Sequence, residues 1–434
     1  MFYLYVALLA TLSPWTLKAD HCPICLAPFH GRVEAPVVVK TQCCGHLFDL
    51  DCISKCFADQ PIGSRQCAMC RQDPMPMVNQ NTSESHPDTF FPDQVFYDAC
   101  YEGDLDQVER SLAEGVNVNA VMLDDFTGLM MASYGGHKAI VEHLINAGAN
   151  LNATSTTSAT AIFFAVQKNN IDCVKLLINA GADLNANFSD GATVLLIAAR
   201  QGKTDCVKLL INGGADINAA LSDGATPLFF AAQENNTDCV KILVRAGANI
   251  NARTKKGTTP LFIAALNGNT NSVKALTEAN ADLNVRTNNG GTPLHIAVWE
   301  GHTDCVETLI AGGADLNAVW SMDGVTPLFI AALNGHTDCA EILIRVGADL
   351  NAARASDGAT PLFIAALNGN TDCVELLINA GANLNVARTS DGATPLSIAI
   401  KMGNTDSMKL LINAEAEVGT EAVKETKEKL HAVQ

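Results

Sequence analysis

One unit recurs so regularly, from about residue 94 to residue 414, that it dictates how the chain can fold. The stretch SDGATPLFIAALNGNTDCVELLINAGANLNVA, residues 356–387, is one copy of it. Aligned on the threonine of a T-P-L core, the copies fall at Thr127, Thr160, Thr193, Thr226, Thr259, Thr292, Thr326, Thr360 and Thr394. The interval is 33 residues for the first five steps and 34 for the last three. A degenerate copy lies one period upstream, with Gln94 in the threonine's place, which makes ten units. Such a period implies a stack in which each unit buries its apolar side against its neighbours. The chain then grows by adding units and not by enlarging one core.

Most positions of the unit have a structural task. Asp357-Gly358 makes a tight turn, glycine supplying positive φ. Thr360 caps a first helix, and Pro361 takes its first position, where no N–H is needed. Leu362, Ile364, Ala365 and Ala366 form the apolar side, and Gly369 ends the helix. Thr371-Asp372 caps a second helix, the acid being favoured by the helix dipole. Val374, Leu376, Leu377 and Ile378 pack inward before Gly381 stops the chain's helical course. Asn385 begins an extended finger leading to the next turn. The T-P-L-x-x-A core at this period resembles the ankyrin repeat. The resemblance implies a mainly α fold, an ankyrin-repeat solenoid of about ten helix-turn-helix units. It also implies that partners bind at the finger tips and on the concave face of the first helices. The first unit (94–121) and the last (391–414) lack parts of the motif, as end caps should.

The 15 cysteines divide sharply. Eight lie between residues 22 and 70, while Cys173, Cys206, Cys239, Cys305, Cys339 and Cys373 share one repeat position. Stacked repeats lie ~10 Å apart, too far for disulfides, which need Cα atoms within ~7 Å. Ser272 and Ser407 fill the same position in two copies, so it calls for a small core side chain. The residue after T-P-L, commonly histidine in the ankyrin family, is His295 in one copy only; Phe229, Phe262, Phe329 and Phe363 replace it elsewhere. The Phe series reads as a core device, and His295 has no patterned nucleophile or carboxylate to make it catalytic.

What fails to repeat carries the information about partners. The tips change from Asn187-Phe188 and Ala220-Leu221 to Arg253-Thr254-Lys255-Lys256, Arg286, Val319-Trp320, Arg354 and Arg388. The array as a whole holds 19 Lys/Arg against 33 Asp/Glu, and the full chain carries a net charge of −18. That field repels phosphate backbones, so no nucleic-acid partner is expected. Basic tips on an acidic array, with Arg and Trp the usual anchors of interfaces, point instead to an acidic protein segment. The expected substrate-binding residues are Arg253, Lys255, Lys256, Arg286 and Trp320.

Ahead of the array, CPIC (22–25) and CAMC (67–70) are two Cys-x2-Cys hooks, each able to hold one edge of a tetrahedral zinc site. Between them runs Cys44-Gly-His46-Leu-Phe-Asp49-Leu-Asp-Cys52. The pattern C-x2-C, x18, C-x-H, x2, D, x2, C, x14, C-x2-C resembles the RING finger. The resemblance implies two structural Zn2+ ions in a cross-brace. One would be held by Cys22, Cys25, Asp49 and Cys52, the other by Cys44, His46, Cys67 and Cys70. Asp49 departs from the family's usual Cys or His; carboxylate oxygen does ligate zinc. Cys56, one helical turn past Cys52, is the alternative, followed by His21, His30 and Cys43. The resemblance further implies a ubiquitin ligase whose conjugating-enzyme contacts are Ile24, inside the first hook, and Arg71, just after the last ligand. Against it, the proline usual after the seventh ligand is Ala68.

The expected organisation is an apolar leader at 1–19, the zinc finger at 20–72, a linker at 73–92, the repeats at 93–414 and a charged tail at 415–434. Proline-rich, polar residues 72–92 set the linker. Residues 1–17, uncharged and apolar, suit a signal peptide, a membrane anchor or a segment packed on its neighbour. Zinc-type cysteines favour a reducing compartment, so the expected location is cytoplasmic, with membrane-anchored or secreted as alternatives. Three functions follow: a RING-type ligase with an array that selects substrate, a non-catalytic scaffold, including one a microbe delivers to a host cell, and a membrane-tethered adaptor.

Overall fold

The computed structural model describes residues 93–188, 190–320 and 323–418, together with the backbone of four short strands ahead of them. The described residues hold twenty α-helices in ten consecutive pairs, from Gln94–Glu102 with Leu105–Ala113 to Pro395–Met402 with Thr405–Val418. The chain divides into two compact units: residues up to Val194 with Lys208–Ala215, and Leu195–Val207 with the residues from Asp216 on. Most of these helices have only seven to nine residues. Helices that short are marginal alone in water, so stacking has to hold them. In the second unit Leu328, Ala331 and Ala332 of one first helix and Leu362, Ala365 and Ala366 of the next are all 0% exposed.

The expected caps form. The hydroxyl of Thr360 accepts from the Phe363 N–H at 3.2 Å, and Pro361 sits at the first helical position. Gly369 closes that helix in the left-handed region at φ 73°, which a residue without Cβ adopts freely. Thr160 is the exception: its helix begins with Ala161, and its buried hydroxyl finds no partner among the described residues. The repeat cysteines are at most 1% exposed, and Ser272 and Ser407 are 0% exposed in their place. Burial pushes the thiols of Cys173 and Cys206 up to about 11 and raises those of Cys305, Cys339 and Cys373, which keeps them protonated and inert.

Three details differ from expectation. The second helix of the pattern unit starts at Thr371, so its cap is Asn370, not Thr371-Asp372. Asn370 does not cap with its side chain; its Nδ2 donates to the Ala332 and Leu333 carbonyls of the preceding repeat, at 2.8 and 3.1 Å. Asn170, Asn236, Asn269 and Asn404 do the same one repeat at a time, and His336 reaches the Trp299 carbonyl at 3.0 Å. A residue that looks like a cap thus ties neighbouring repeats through carbonyls at the end of the preceding first helix. In the first unit the cap is Asp93, which accepts from the Phe96 N–H at 3.1 Å, and not Gln94. The last helix runs on to Val418, past the boundary expected at 414, with Glu415 only 4% exposed.

The region expected as a linker also holds structure. Strands β1 (Val38–Lys40), β2 (Leu47–Asp49), β3 (Met77–Asn79) and β4 (Ser85–His86) form one antiparallel sheet in the order β2-β1-β3-β4. Val39 pairs with Phe48 on one side and Asn79 on the other. Strand β3 therefore pairs with a strand of the segment that holds the expected zinc ligands, β4 pairs with β3, and residues 87–92 lie between β4 and Asp93 in the sequence.

Candidate functional site

One finger-tip position, six residues before the cap threonine, holds Arg253, Arg286, Trp320, Arg354 and Arg388, four arginines and one tryptophan. The arginines have two different fates. Arg354 makes a bidentate pair with Asp357, Nε to Oδ1 at 2.9 Å and Nη2 to Oδ2 at 2.6 Å. Arg388 pairs likewise with Asp391, at 3.0 and 2.5 Å. Hydrogen bonding from Arg354 holds the Asp357 carboxyl below the usual carboxylate range. Each guanidinium also lies over a phenylalanine ring of the preceding repeat, Phe329 at 5.4 Å and Phe363 at 4.9 Å.

Arg253 and Arg286 lack this partner because the residue three positions on is Lys256 or Asn289 in place of aspartate. They reach forward instead. Arg253 Nη2 donates to the Arg286 carbonyl at 2.7 Å, and Arg286 Nη1 donates to the Val319 carbonyl at 2.6 Å. Three successive fingers are stapled in this way, with the positive charges left unneutralised. Lys255 and Lys256 stand exposed beside them on a backbone that is itself fixed: the Lys255 N–H donates to the Asp223 carbonyl, and Asn288 Nδ2 donates to the Lys255 carbonyl at 2.8 Å. Among the described residues none of the four cations has an ion-pair partner, whereas Arg354 and Arg388 are spent on their aspartates.

Trp320 stands where its neighbours have arginine. Its ring meets His295 edge-on at 5.5 Å between centroids and Trp299 at 6.0 Å. It lies half-buried over Gly291, where a Cβ would stand 3.2 Å from the indole ring. The Trp320 backbone N–H donates to the Val325 carbonyl at 2.9 Å. His295 itself is 0% exposed, with Nδ1 at 2.7 Å from the Thr292 hydroxyl in a capping box, and burial lowers it to about 4. It is a neutral core group. Phe329 and Phe363, at the matching position, are fully buried; Phe229 and Phe262 are half-buried, so the Phe series serves as core at one end and as part of the surface at the other.

Sequence reasoning missed Trp299, 43% exposed at the end of its helix. The signal was available in the seventh residue after each cap threonine, which runs Gln233, Leu266, Trp299, Leu333, Leu367, Lys401. Four consecutive apolar residues between polar ones, none of them fully buried, mark an apolar row. A second missed signal is charge: residues 239–277 contain six Lys/Arg and no Asp or Glu.

The expected zinc ligands Cys22, Cys25, Cys44, His46, Cys52, Cys67 and Cys70, with Cys56, Ile24, Arg71 and the leader 1–17, lie outside the described residues. Of Asp49 the backbone is described, in β2 opposite Val38. Cys44 and His46 belong to the six positions that join β1 to β2. The donor set of six thiolates, one imidazole and one carboxylate fits two four-coordinate zinc sites. Among the described residues no group of His, Cys, Asp and Glu could hold a metal, and no helix is long and apolar enough to cross a membrane.

Family models for ankyrin repeats match residues 96–188, 186–254, 246–320 and 328–422, and a further ankyrin model matches 301–344. A model for the RING-type zinc finger matches residues 22–68. No curated protein matches the chain. Among solved structures, the crystal structure of the human ASB11 ankyrin repeat domain is similar at 28% identity. It covers 51% of this chain and 98% of that one, with a TM-score of 0.45.

Proposed function

This chain belongs to the ankyrin-repeat family, and from that premise we propose that it is a RING-type ubiquitin ligase whose repeats recruit a protein substrate. The observation that carries the reading is the eight-donor pattern from Cys22 to Cys70, within which the RING-type match at 22–68 falls. Cys22, Cys25, Asp49 and Cys52 would hold one zinc ion and Cys44, His46, Cys67 and Cys70 the other. Zinc with every position filled fixes a small platform and leaves none open for water. In so short a segment, metal binding supplies much of the folding free energy. Ile24 offers an apolar contact to a ubiquitin-conjugating enzyme. Arg71, with its planar fork of donors, can brace that enzyme against ubiquitin. No covalent intermediate forms on this chain: ubiquitin passes from the conjugating enzyme to a substrate lysine held nearby.

The array's part is grip. Arg253, Lys255, Lys256 and Arg286 keep unneutralised charge on stapled, ordered fingers beside Trp320, which suits capture of an acidic segment. We place this activity in the cytoplasm, where thiolates stay reduced. The scaffold alternative draws on Ala68, where the ligases of the family commonly have proline. The two part in one assay. With ubiquitin-activating and ubiquitin-conjugating enzymes, the chain should build ubiquitin chains on itself, and Ile24→Ala and Arg71→Ala should each reduce this at least tenfold. No product across a broad panel of conjugating enzymes would leave the scaffold.

A further inference from the structure

We propose that the repeats capped by Thr259, Thr292, Thr326 and Thr360 form one bipartite surface for an extended protein segment, with carboxylates at one end and apolar side chains at the other. The inference rests on the reading of the array as the gripping part and states what it grips. The first half is the basic island. Residues 239–277 carry six cations and no carboxylate in a chain of net charge −18. Their second helix, Thr270–Glu278, also has no acid in its first turn, where Asp304, Asp338 and Asp372 stand in the three repeats that follow. Asp357 and Asp391 cancel the arginines further along, so among the described finger-tip cations those left without a carboxylate partner are Arg253, Lys255, Lys256 and Arg286.

The second half is the apolar row. Leu266, Trp299, Leu333 and Leu367 stand at one position of four consecutive first helices, bounded by Gln233 and Lys401. Trp320 joins it from the finger side, and Val319 next to it is 42% exposed. Half-buried leucines and an exposed tryptophan in a row are unlike the scattered single apolar residues of an ordinary surface. The island and the row overlap over the Thr259 and Thr292 repeats: Leu266 lies within the basic stretch, the Arg286 guanidinium is fastened to the Val319 carbonyl and Trp320 leans on Trp299. The unpaired finger charge thus ends at the Thr292 repeat, while the apolar row runs on through the next two, and that is the offset along the stack.

That offset fixes the ligand's layout. Repeats spaced ~10 Å apart and an extended chain advancing ~3.3 Å per residue put successive apolar anchors about three residues apart. The whole segment is about 12 residues long, acidic over its first third and apolar beyond. A nucleic acid fits less well, since phosphates would find cations only on the island and nothing on the leucine row.

The test uses the full chain and four fluorescent 12-residue peptides: acidic block with leucines every third residue, the same blocks in reverse order, acidic block alone and leucine block alone. Binding is read by anisotropy and by tryptophan fluorescence, since Trp299 and Trp320 are two of the chain's three tryptophans. One of the two bipartite orders should bind at least tenfold tighter than every other peptide, and weaken on raising salt from 50 to 300 mM. Lys255→Glu with Lys256→Glu should cost that peptide and the acidic block tenfold or more. Trp299→Ala should cost only the bipartite peptide, and Trp299→Phe should restore most of the loss. Equal affinity for both orders, indifference to either substitution, or tighter binding of a 12-mer oligonucleotide would overturn the proposal. Because no ubiquitin enters the assay, peptide binding without ubiquitin transfer would refute the ligase reading alone, and transfer without peptide binding would refute this surface alone.

Discussion

Asn370 offers a quantitative check on how the repeats are joined. Its Nδ2 is the donor to the Ala332 carbonyl, which sits in the last turn of the preceding first helix on a residue 0% exposed. It also donates to the Leu333 carbonyl, but that oxygen accepts from Asn368 Nδ2 as well, at 2.8 Å. Asn370→Ala therefore orphans one buried carbonyl, which costs ~1–3 kcal/mol, and removes one redundant bond worth about 0.5 kcal/mol or less. The sum is about 2 kcal/mol. Asn368→Ala, which leaves every carbonyl partnered, should cost only about 0.5 kcal/mol. Repeat arrays need not unfold in one step, so the assay is native-state amide exchange in Thr337–Arg345 and Thr371–Asn379, supported by urea midpoints. Equal costs for the two substitutions, or an Asn370→Ala effect below about 0.5 kcal/mol, would refute the idea that orphaned helix-end carbonyls join the stack.

Three further outcomes follow from individual groups. His295 is lowered from 6.5 to about 4 by burial, so between these values the unfolded chain binds the proton and the folded one does not. Stability should rise with pH across that window by up to roughly 3 kcal/mol, and His295→Phe, the residue of neighbouring repeats, should abolish the dependence in pH-resolved urea melts. Asp357 is held low by Arg354; its stabilisation is fully present above the ordinary carboxylate range and is lost as pH falls through the depressed value. Asp357→Asn should flatten that acid limb, as followed by carboxyl NMR titration and thermal melts. In the zinc segment, metal analysis of the purified chain should give two ions, with Asp49→Ala reducing the count to one and Cys56→Ala leaving it at two; the opposite pattern would move the ligand to Cys56.

The repeat fold was legible because each unit spells its own capping and core, and ten in-phase copies speak together. Thr360, Gly369 and the cysteine position could be placed from chemistry alone. The zinc pattern was legible for a similar reason, since ligand spacing survives without any knowledge of packing. What escaped depends on contacts between units. Asn370 looks like a local cap until its reach to Ala332 is seen. Arg354 and Arg253 look alike in a list of basic tips, yet an aspartate three residues on decides whether the charge is cancelled or exposed. Strands as short as Met77–Asn79 and Ser85–His86 have too few residues to show a period of two. Trp299 was hidden by belonging to a helix whose other large residues are core.

The proposed ligase has two parts, a zinc segment that docks the conjugating enzyme and an array that holds the substrate. It is tested most directly by fusing the preferred bipartite peptide to a lysine-bearing reporter and following ubiquitin transfer to that reporter. The peptide-bearing reporter should be modified at least tenfold faster than the bare one. Lys255→Glu with Lys256→Glu should remove that preference while self-modification persists, and Cys67→Ser should remove both. Equal modification of the two reporters, or no transfer to either, would contradict it.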